Sequence, residues 1–185
     1  ESRRFRREIK EIRRLGQYEV VRLIAIGGMG RVYEARHALL KRRTALKVVT
    51  HDFASEDTLI RFELEVRATS LLTHPNTVVV YDFGRSEHGH FYYAMEFIDG
   101  PSFDDLVRLE GRLSPERARH LLLQVAGARA EAHGQGFVHR DVKPANLMCT
   151  VRGGRYDFAK VLDFGLVRDV HAKESRLTST GSVSG

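Results

Sequence analysis

Eight consecutive residues, His139-Arg140-Asp141-Val142-Lys143-Pro144-Ala145-Asn146, gather an imidazole, a guanidinium, a carboxylate, an ammonium and a carboxamide into one short stretch. Seventeen positions beyond Asn146, a second carboxylate opens Asp163-Phe164-Gly165 behind an apolar run. Carboxylates can orient or accept a proton or take a hard cation, and ammonium and guanidinium groups can hold an anion. Two upstream features belong with these. Gly27-Gly28-Met29-Gly30 lies between two strand-like runs and reads as a flexible turn. Lys47 sits inside the β-branched, apolar segment Thr44–Val49. An ammonium buried there needs anionic company, because unpaired it is costly.

Order and spacing together carry a resemblance. The pair formed by His139–Asn146 and Asp163-Phe164-Gly165 resembles the catalytic loop and metal-binding loop of protein kinases. Ile24-Ala25-Ile26-Gly27-Gly28-Met29-Gly30-Arg31-Val32-Tyr33 resembles the glycine-rich loop of bacterial eukaryote-like serine/threonine kinases, with Ala25 in place of the first glycine. A dinucleotide-binding fingerprint is the competing reading of these glycines. It requires a helix after the turn and an acid ~20 residues on, and here β-like sequence and Lys47 follow instead. Ala45-Leu46-Lys47 matches the third-strand lysine motif, and Glu65 falls where the family places the partner of that lysine, with Glu63 as the alternative. The likeness covers residues 17–185.

The resemblance implies a set of roles. Lys47 holds the α- and β-phosphates of ATP, and the amides of Gly27, Gly28, Met29 and Gly30 cover them. Asn146 and Asp163 supply hard oxygen ligands to magnesium, with manganese as a substitute. Asp141 orients the acceptor hydroxyl and takes its proton, and Lys143 neutralises the phosphoryl group in flight. Met95-Glu96-Phe97-Ile98 is the segment joining two lobes, with Met95 behind the adenine and the backbone of Glu96 and Ile98 on the purine edge. Ile24, Val32, Ala45 and Met148 pack against the ring. Arg140 suggests regulation by phosphorylation of the loop holding Thr178 and Thr180. Lysine two residues after Asp141, followed by proline, resembles serine/threonine rather than tyrosine kinases. The implied function is transfer of the ATP γ-phosphate to Ser/Thr hydroxyls of proteins, including the chain's own loop. An inert nucleotide-binding or scaffolding module is the alternative, favoured by Ala25, and a small-molecule kinase is a third reading.

These residues require elements to place them. Strands are predicted over Tyr18–Ile26, around Val32-Tyr33, and over Thr44–Val49, Val78–Phe83 and Phe91–Ile98. A helix is predicted from an N-cap at Ser55 to about Leu72, ended by His74-Pro75-Asn76. Helices over about Phe103–Glu110 and from Ser114-Pro115-Glu116 to Gly134 follow, then a hairpin turning at Gly153-Gly154. Residues 3–15 read as an amphipathic helix stopped by Gly16. The expected fold is α+β and protein-kinase-like, a five-stranded antiparallel N-lobe with one main helix and the start of a helical C-lobe. The expected divisions are a basic arm over 1–16, the N-lobe over 17–96, and a hinge with partial C-lobe over 97–185.

Composition excludes other classes. The chain has 185 residues, 42% of them hydrophobic and 29% charged, an ordinary globular balance. A single cysteine forms no internal disulfide, and Cys149 reads as a buried strand residue rather than a nucleophile. Nine histidines fall into no zinc spacing, and no apolar run reaches the ~18 residues of a membrane span. The formal charge of +6 is concentrated in residues 1–15, which hold seven basic and three acidic side chains. The body is therefore nearly neutral and offers no nucleic-acid face. The arm reads as a solvated leader, and a membrane-surface contact is the less favoured reading. Protein substrates are the expected partners, with a cytoplasmic location and any anchor outside this segment. The missing initial methionine and the Ser/Thr/Gly-rich end read as those of a piece of a longer chain.

Overall fold

A computed structural model describes residues 13–27, 30–49, 56–86, 89–138 and 141–162, excepting the side chains at positions 56–58, 61, 65 and 68. The chain divides into two compact units, one made of Glu1–Val66 and Val79–Ile98, the other of Arg67–Val78 and Asp99–Gly185.

The first unit is built on an antiparallel sheet. Its strands are β1 (Arg14–Leu15), β2 (Tyr18–Gly27), β3 (Gly30–His37), β4 (Arg43–Val49), β5 (Val80–Arg85) and β6 (Phe91–Glu96), in the order β1-β2-β3-β4-β6-β5. The five expected strands are present, and the two-residue β1 is added at the edge. It replaces the end of the predicted arm helix. Leu15 is 1% exposed and pairs with Tyr18, and Gly16 turns the chain at φ 53° instead of capping a helix. Residues 1–12, the rest of that predicted helix, lie outside the described residues.

Alternation along the strands gives the sheet two faces. Tyr33, Leu46 and Ala94 stand in one cross-strand row, and with Leu15, Tyr18, Ala35, Val48 and Tyr92 they form a buried apolar layer. The edge hairpin reaches the far edge strand, where Gln17 Nε2 donates to Asp82 at 3.0 Å and the Tyr18 hydroxyl at 3.4 Å. The sheet is therefore curled. On the opposite face, Val32, Lys47 and Tyr93 form one row and Glu34, Ala45 and Met95 the next. Helix α1 (Glu56–Leu71) covers part of this face through Phe62, fully buried with its ring 5.2 Å from Tyr93 and 6.1 Å from Phe83.

The second unit holds α2 (Phe103–Glu110), α3 (Pro115–Gly134), a 3-10 turn (Pro144–Asn146) and the hairpin β7 (Leu147–Arg152) with β8 (Arg155–Val161). Ser102 and Ser114 cap α2 and α3, each accepting from a backbone N–H three residues on, and Pro115 starts α3 with no amide to satisfy. Helix α3 ends at Gly134, as expected, with Gln135 as its cap. Gly136 (φ 80°) donates to the His133 carbonyl and Phe137 to that of Ala132, the paired bonds of a Schellman ending. Leu106, Leu121, Val125, Ala128, Leu147 and Val161 make the core, with Phe137 packed on it. That ending aims the chain into the segment rich in reactive side chains.

Candidate active site

In the second unit, Asp141, Lys143 and Asn146 come together. Pro144–Asn146 forms a single 3-10 turn, with the Asn146 amide donating to the Lys143 carbonyl at 2.9 Å. Lys143 Nζ lies 2.7 Å from Asp141 Oδ2. Asn146 Nδ2 donates to the same oxygen at 3.1 Å and to the Asp141 backbone carbonyl at 2.9 Å. The carboxamide nitrogen is thus committed twice, and Asn146 Oδ1 is the atom it presents as a ligand. Lys143 is half exposed and Asp141 somewhat less so, a surface-accessible pair open to an incoming group.

The floor beneath this loop is fixed by backbone bonds. Leu147 and Cys149 face the core from β7. The Cys149 amide donates to the Pro101 carbonyl, and Thr150 Oγ1 to that of Asp99. The Leu162 amide donates to the Asn146 carbonyl at 2.9 Å, so the residue before Asp163 is bonded to the predicted metal ligand Asn146. Asp163 itself, with Phe164 and Gly165, His139, Arg140, Thr178 and Thr180, lies outside the described residues. Cys149 is buried, and desolvation first, then the nearby Asp157 carboxylate, pushes its thiol up to about 11. It is no nucleophile at neutral pH.

In the first unit, Lys47 is 6% exposed on the face shared with Val32 and Ala45, with Nζ 5.8 Å from the Tyr93 ring centroid. A buried ammonium on this face suits a polyanion. Gly27 pairs with Gly30 where β2 turns into β3, and Gly28 and Met29 between them lie outside the described residues. Gly30 has φ 150°, and a Cβ there would run into the Val48 carbonyl, so only glycine fits. Ala25 is exposed and pairs with Val32, just past an irregularity in the β2–β3 register between Leu23 and Ala25. Ile24 is exposed, Ala45 and Met95 are buried, and Val32, Glu96, Ile98 and Met148 are half-buried. The Glu96 amide already donates to Val79 at 2.8 Å, so any part Glu96 plays toward a purine falls to its carbonyl. Glu65 lies on α1, with its side chain outside the described set.

The protein kinase domain family matches residues 18–184. This chain belongs to that family. Among similar curated proteins, the serine/threonine-protein kinase pkn3 of Myxococcus xanthus is 40% identical over 91% of the chain and 31% of its own length. PknA of Mycobacterium tuberculosis is 41% identical over 92% of the chain and 39% of its length, and PrkC of Bacillus subtilis 36% identical over 92% and 25%. The chain thus spans between a quarter and two fifths of these relatives. The crystal structure of a double mutant of the Mycobacterium tuberculosis PknI kinase domain superposes with a TM-score of 0.66, at 29% identity over 84% of this kinase chain and 62% of the other. Among the described residues, no helix is long and apolar enough to cross a membrane.

Sequence reasoning missed the fastening of the 72–78 loop, which it treated only as a helix terminator. Glu131 accepts from the Thr73 amide (2.9 Å), the Thr73 hydroxyl (2.7 Å) and the His74 amide (2.9 Å). Gln124 accepts from Asn76 Nδ2 at 2.9 Å, and Asn76 Nδ2 also donates to the Ala159 carbonyl. His74 packs where a side chain on Gly127 would stand, Nε2 being 2.9 Å from that Cβ position. Positions 124, 127 and 131 share one face of α3, and that spacing was the available signal. The loop then bonds to β8, the Val161 amide to Asn76 and the Val78 amide to Val161. This explains why the strand predicted at Val78–Phe83 begins at Val80: residues 77 and 78 are bonded to β8 instead.

Proposed function

We propose that this segment is the nucleotide-handling part of a serine/threonine protein kinase that transfers the γ-phosphate of ATP to protein hydroxyls. The observation that carries the reading is the Asp141–Lys143–Asn146 cluster, together with the Leu162-to-Asn146 bond that leads directly into Asp163. Phosphoryl transfer asks a protein mainly for positioning and neutralisation of charge. Lys47, buried on its sheet face, holds triphosphate oxygens, and the Gly27–Gly30 turn covers them with amides. Asn146 Oδ1 and the Asp163 carboxylate would hold magnesium, which would supply charge neutralisation for the transferred group.

Asp141 accepts the hydrogen of the acceptor hydroxyl and aligns its oxygen. Lys143 and Asn146 both donate to Oδ2 and hold the carboxylate in place, so orientation is its larger contribution and proton uptake the smaller. Lys143, beside Asp141, would neutralise the phosphoryl group in flight. Thr178 and Thr180 are the proposed sites of self-modification, with Arg140 as the phosphate's partner. Ala25 gives little support to the inert-module reading, because it is exposed and still pairs with Val32 within the β2–β3 ladder.

The test is intact mass after incubation with magnesium and ATP, for the chain and for Asp141→Asn. Phosphate on the first and none on the second supports the proposal. Equal phosphate on both would refute the assignment of Asp141.

A further inference from the structure

The cross-strand row Glu34–Ala45–Met95 continues at its outer end into Arg22, which pairs directly with Glu34 on β2. Glu34 is 6% exposed. Its carboxylate accepts from Arg22 Nε at 2.8 Å and from Arg43 Nε at 2.9 Å. Burial alone would raise its pKa, yet the hydrogen bond from Arg43 and the charges of both arginines outweigh that and hold it below its usual value. Arg43, two residues before Ala45 and on the same face, lays its guanidinium over the Phe97 ring at 4.0 Å from the centroid.

Phe97 is where this stack matters. The β4–β6 ladder ends at the pair Thr44 and Glu96, so Phe97 is the first residue that the sheet no longer holds. It stands between Glu96 and Ile98, the two residues whose backbone is proposed to meet the purine edge. An arginine side chain left to itself has many rotamers, and ordering it costs entropy. The charge-assisted bond to Glu34 meets that cost in advance and fixes the guanidinium plane where the ring can lie on it.

We infer that Arg43, oriented by Glu34, is a positioning residue that anchors Phe97 and thereby sets the backbone of residues 96–98 for an adenine nucleotide. It acts through Phe97 and does not touch the ligand. The inference rests on the proposed ATP function. It predicts a defect confined to the base end of the nucleotide, because Lys47 and the glycine turn are separate supports for the phosphates.

The experiment measures binding of magnesium-ATP and of magnesium tripolyphosphate, which lacks a base, to the full chain by calorimetry. Arg43→Ala and Phe97→Leu should each weaken magnesium-ATP by about two- to five-fold, the range of an exposed cation–π contact, and leave tripolyphosphate unchanged. The double variant should be no weaker than either single one. Phe97→Tyr keeps the ring and should bind like the parent. Phe97→Leu leaves the Arg22–Glu34–Arg43 bonds intact, so it reports on the stack even if Arg43→Ala does not fold. Unchanged magnesium-ATP affinity in Phe97→Leu, or an equal loss for tripolyphosphate, would overturn the inference while the ATP reading stands. No magnesium-ATP binding by the parent chain would overturn both.

Discussion

Replacing Glu131 by glutamine tests the fastening of the 72–78 loop. The carboxylate accepts three hydrogen bonds, two of them from backbone amides. Burial by itself would raise its pKa, but the side-chain and backbone bonds from Thr73 and the amide of His74 win and hold it below the ordinary 4.5. Glutamine keeps one acceptor oxygen and turns an NH2 group toward a donor, so at least one bond is lost and the others lose their charge assistance. Bonds to charged groups contribute about 1.5–3 kcal/mol each and neutral ones about 1 kcal/mol. Thr73 is exposed and water can serve a freed donor, so the low end applies and the loss is about 2 kcal/mol. With a urea slope of about 2 kcal/mol/M, the unfolding midpoint falls by about 1 M. Amide exchange is the sharper assay. Protection at Thr73 and His74 should drop by about ten-fold or more at pH 7, which a single lost charge-assisted bond would produce. The sign of the pH dependence follows from the lowered pKa. The stabilisation is full above the unfolded value near 4.5 and is lost as pH falls through the folded value. The parent and Glu131→Gln should therefore converge in acid. Unaltered protection of both amides in Glu131→Gln at pH 7 would refute the reasoning.

Other outcomes follow from single contacts. Alanine at Gly127 would normally add about 1 kcal/mol of helix propensity, but its Cβ meets His74 Nε2 at 2.9 Å while His74 Nδ1 is held by the Asn76 amide; thermal unfolding should show no gain, and a raised midpoint would contradict this packing. Alanine at Gly30 drives a Cβ into the Val48 carbonyl and should abolish magnesium-ATP binding, read by calorimetry. Cys149, with its thiol raised to about 11, should resist iodoacetamide at pH 7.5 until the chain is unfolded in urea, as mass spectrometry would show. Lys47→Met should remove binding of magnesium tripolyphosphate as well as magnesium-ATP, in contrast to variants at Phe97.

Local chemistry made much of this legible in advance. Ser114-Pro115-Glu116 carries three independent start signals, and α3 begins there. The loop from Asp141 to Asn146 closes on itself through residues within five positions, so its geometry is written in its own sequence. Failures occurred where distant partners decide. The arginine-rich stretch before Gly16 has helical spacing, but burial of Leu15 beside Tyr18 draws its end into the sheet. Val78 reads as strand from its β-branched neighbours, yet its amide is taken by Val161, 83 residues away. The end of α3 at Gly134, by contrast, was legible, and Gly136 adds the left-handed residue that the Schellman bonds need after the cap. Glu34 and Arg43 carried no motif, and Phe97 entered only as part of the joining segment; their mutual contacts are brought about by the fold.

The interleaving of the two units has a kinetic side. Residues 67–78 belong to the second unit, although the chain returns to the first over 79–98 before reaching 99–185. Asn76 bonds to the Ala159 carbonyl across a separation of 83 residues. At about 5–20 residues per second on the ribosome, that partner is made about 4–17 s after Asn76. Strands β2, β3 and β4 are adjacent in sequence and need no such delay, whereas residues 76–78 wait for β8. Long-range closures of this kind slow folding. During synthesis the segment after α1 is exposed for seconds, a natural target for a chaperone or protease, and neither unit can be cut out as one continuous peptide.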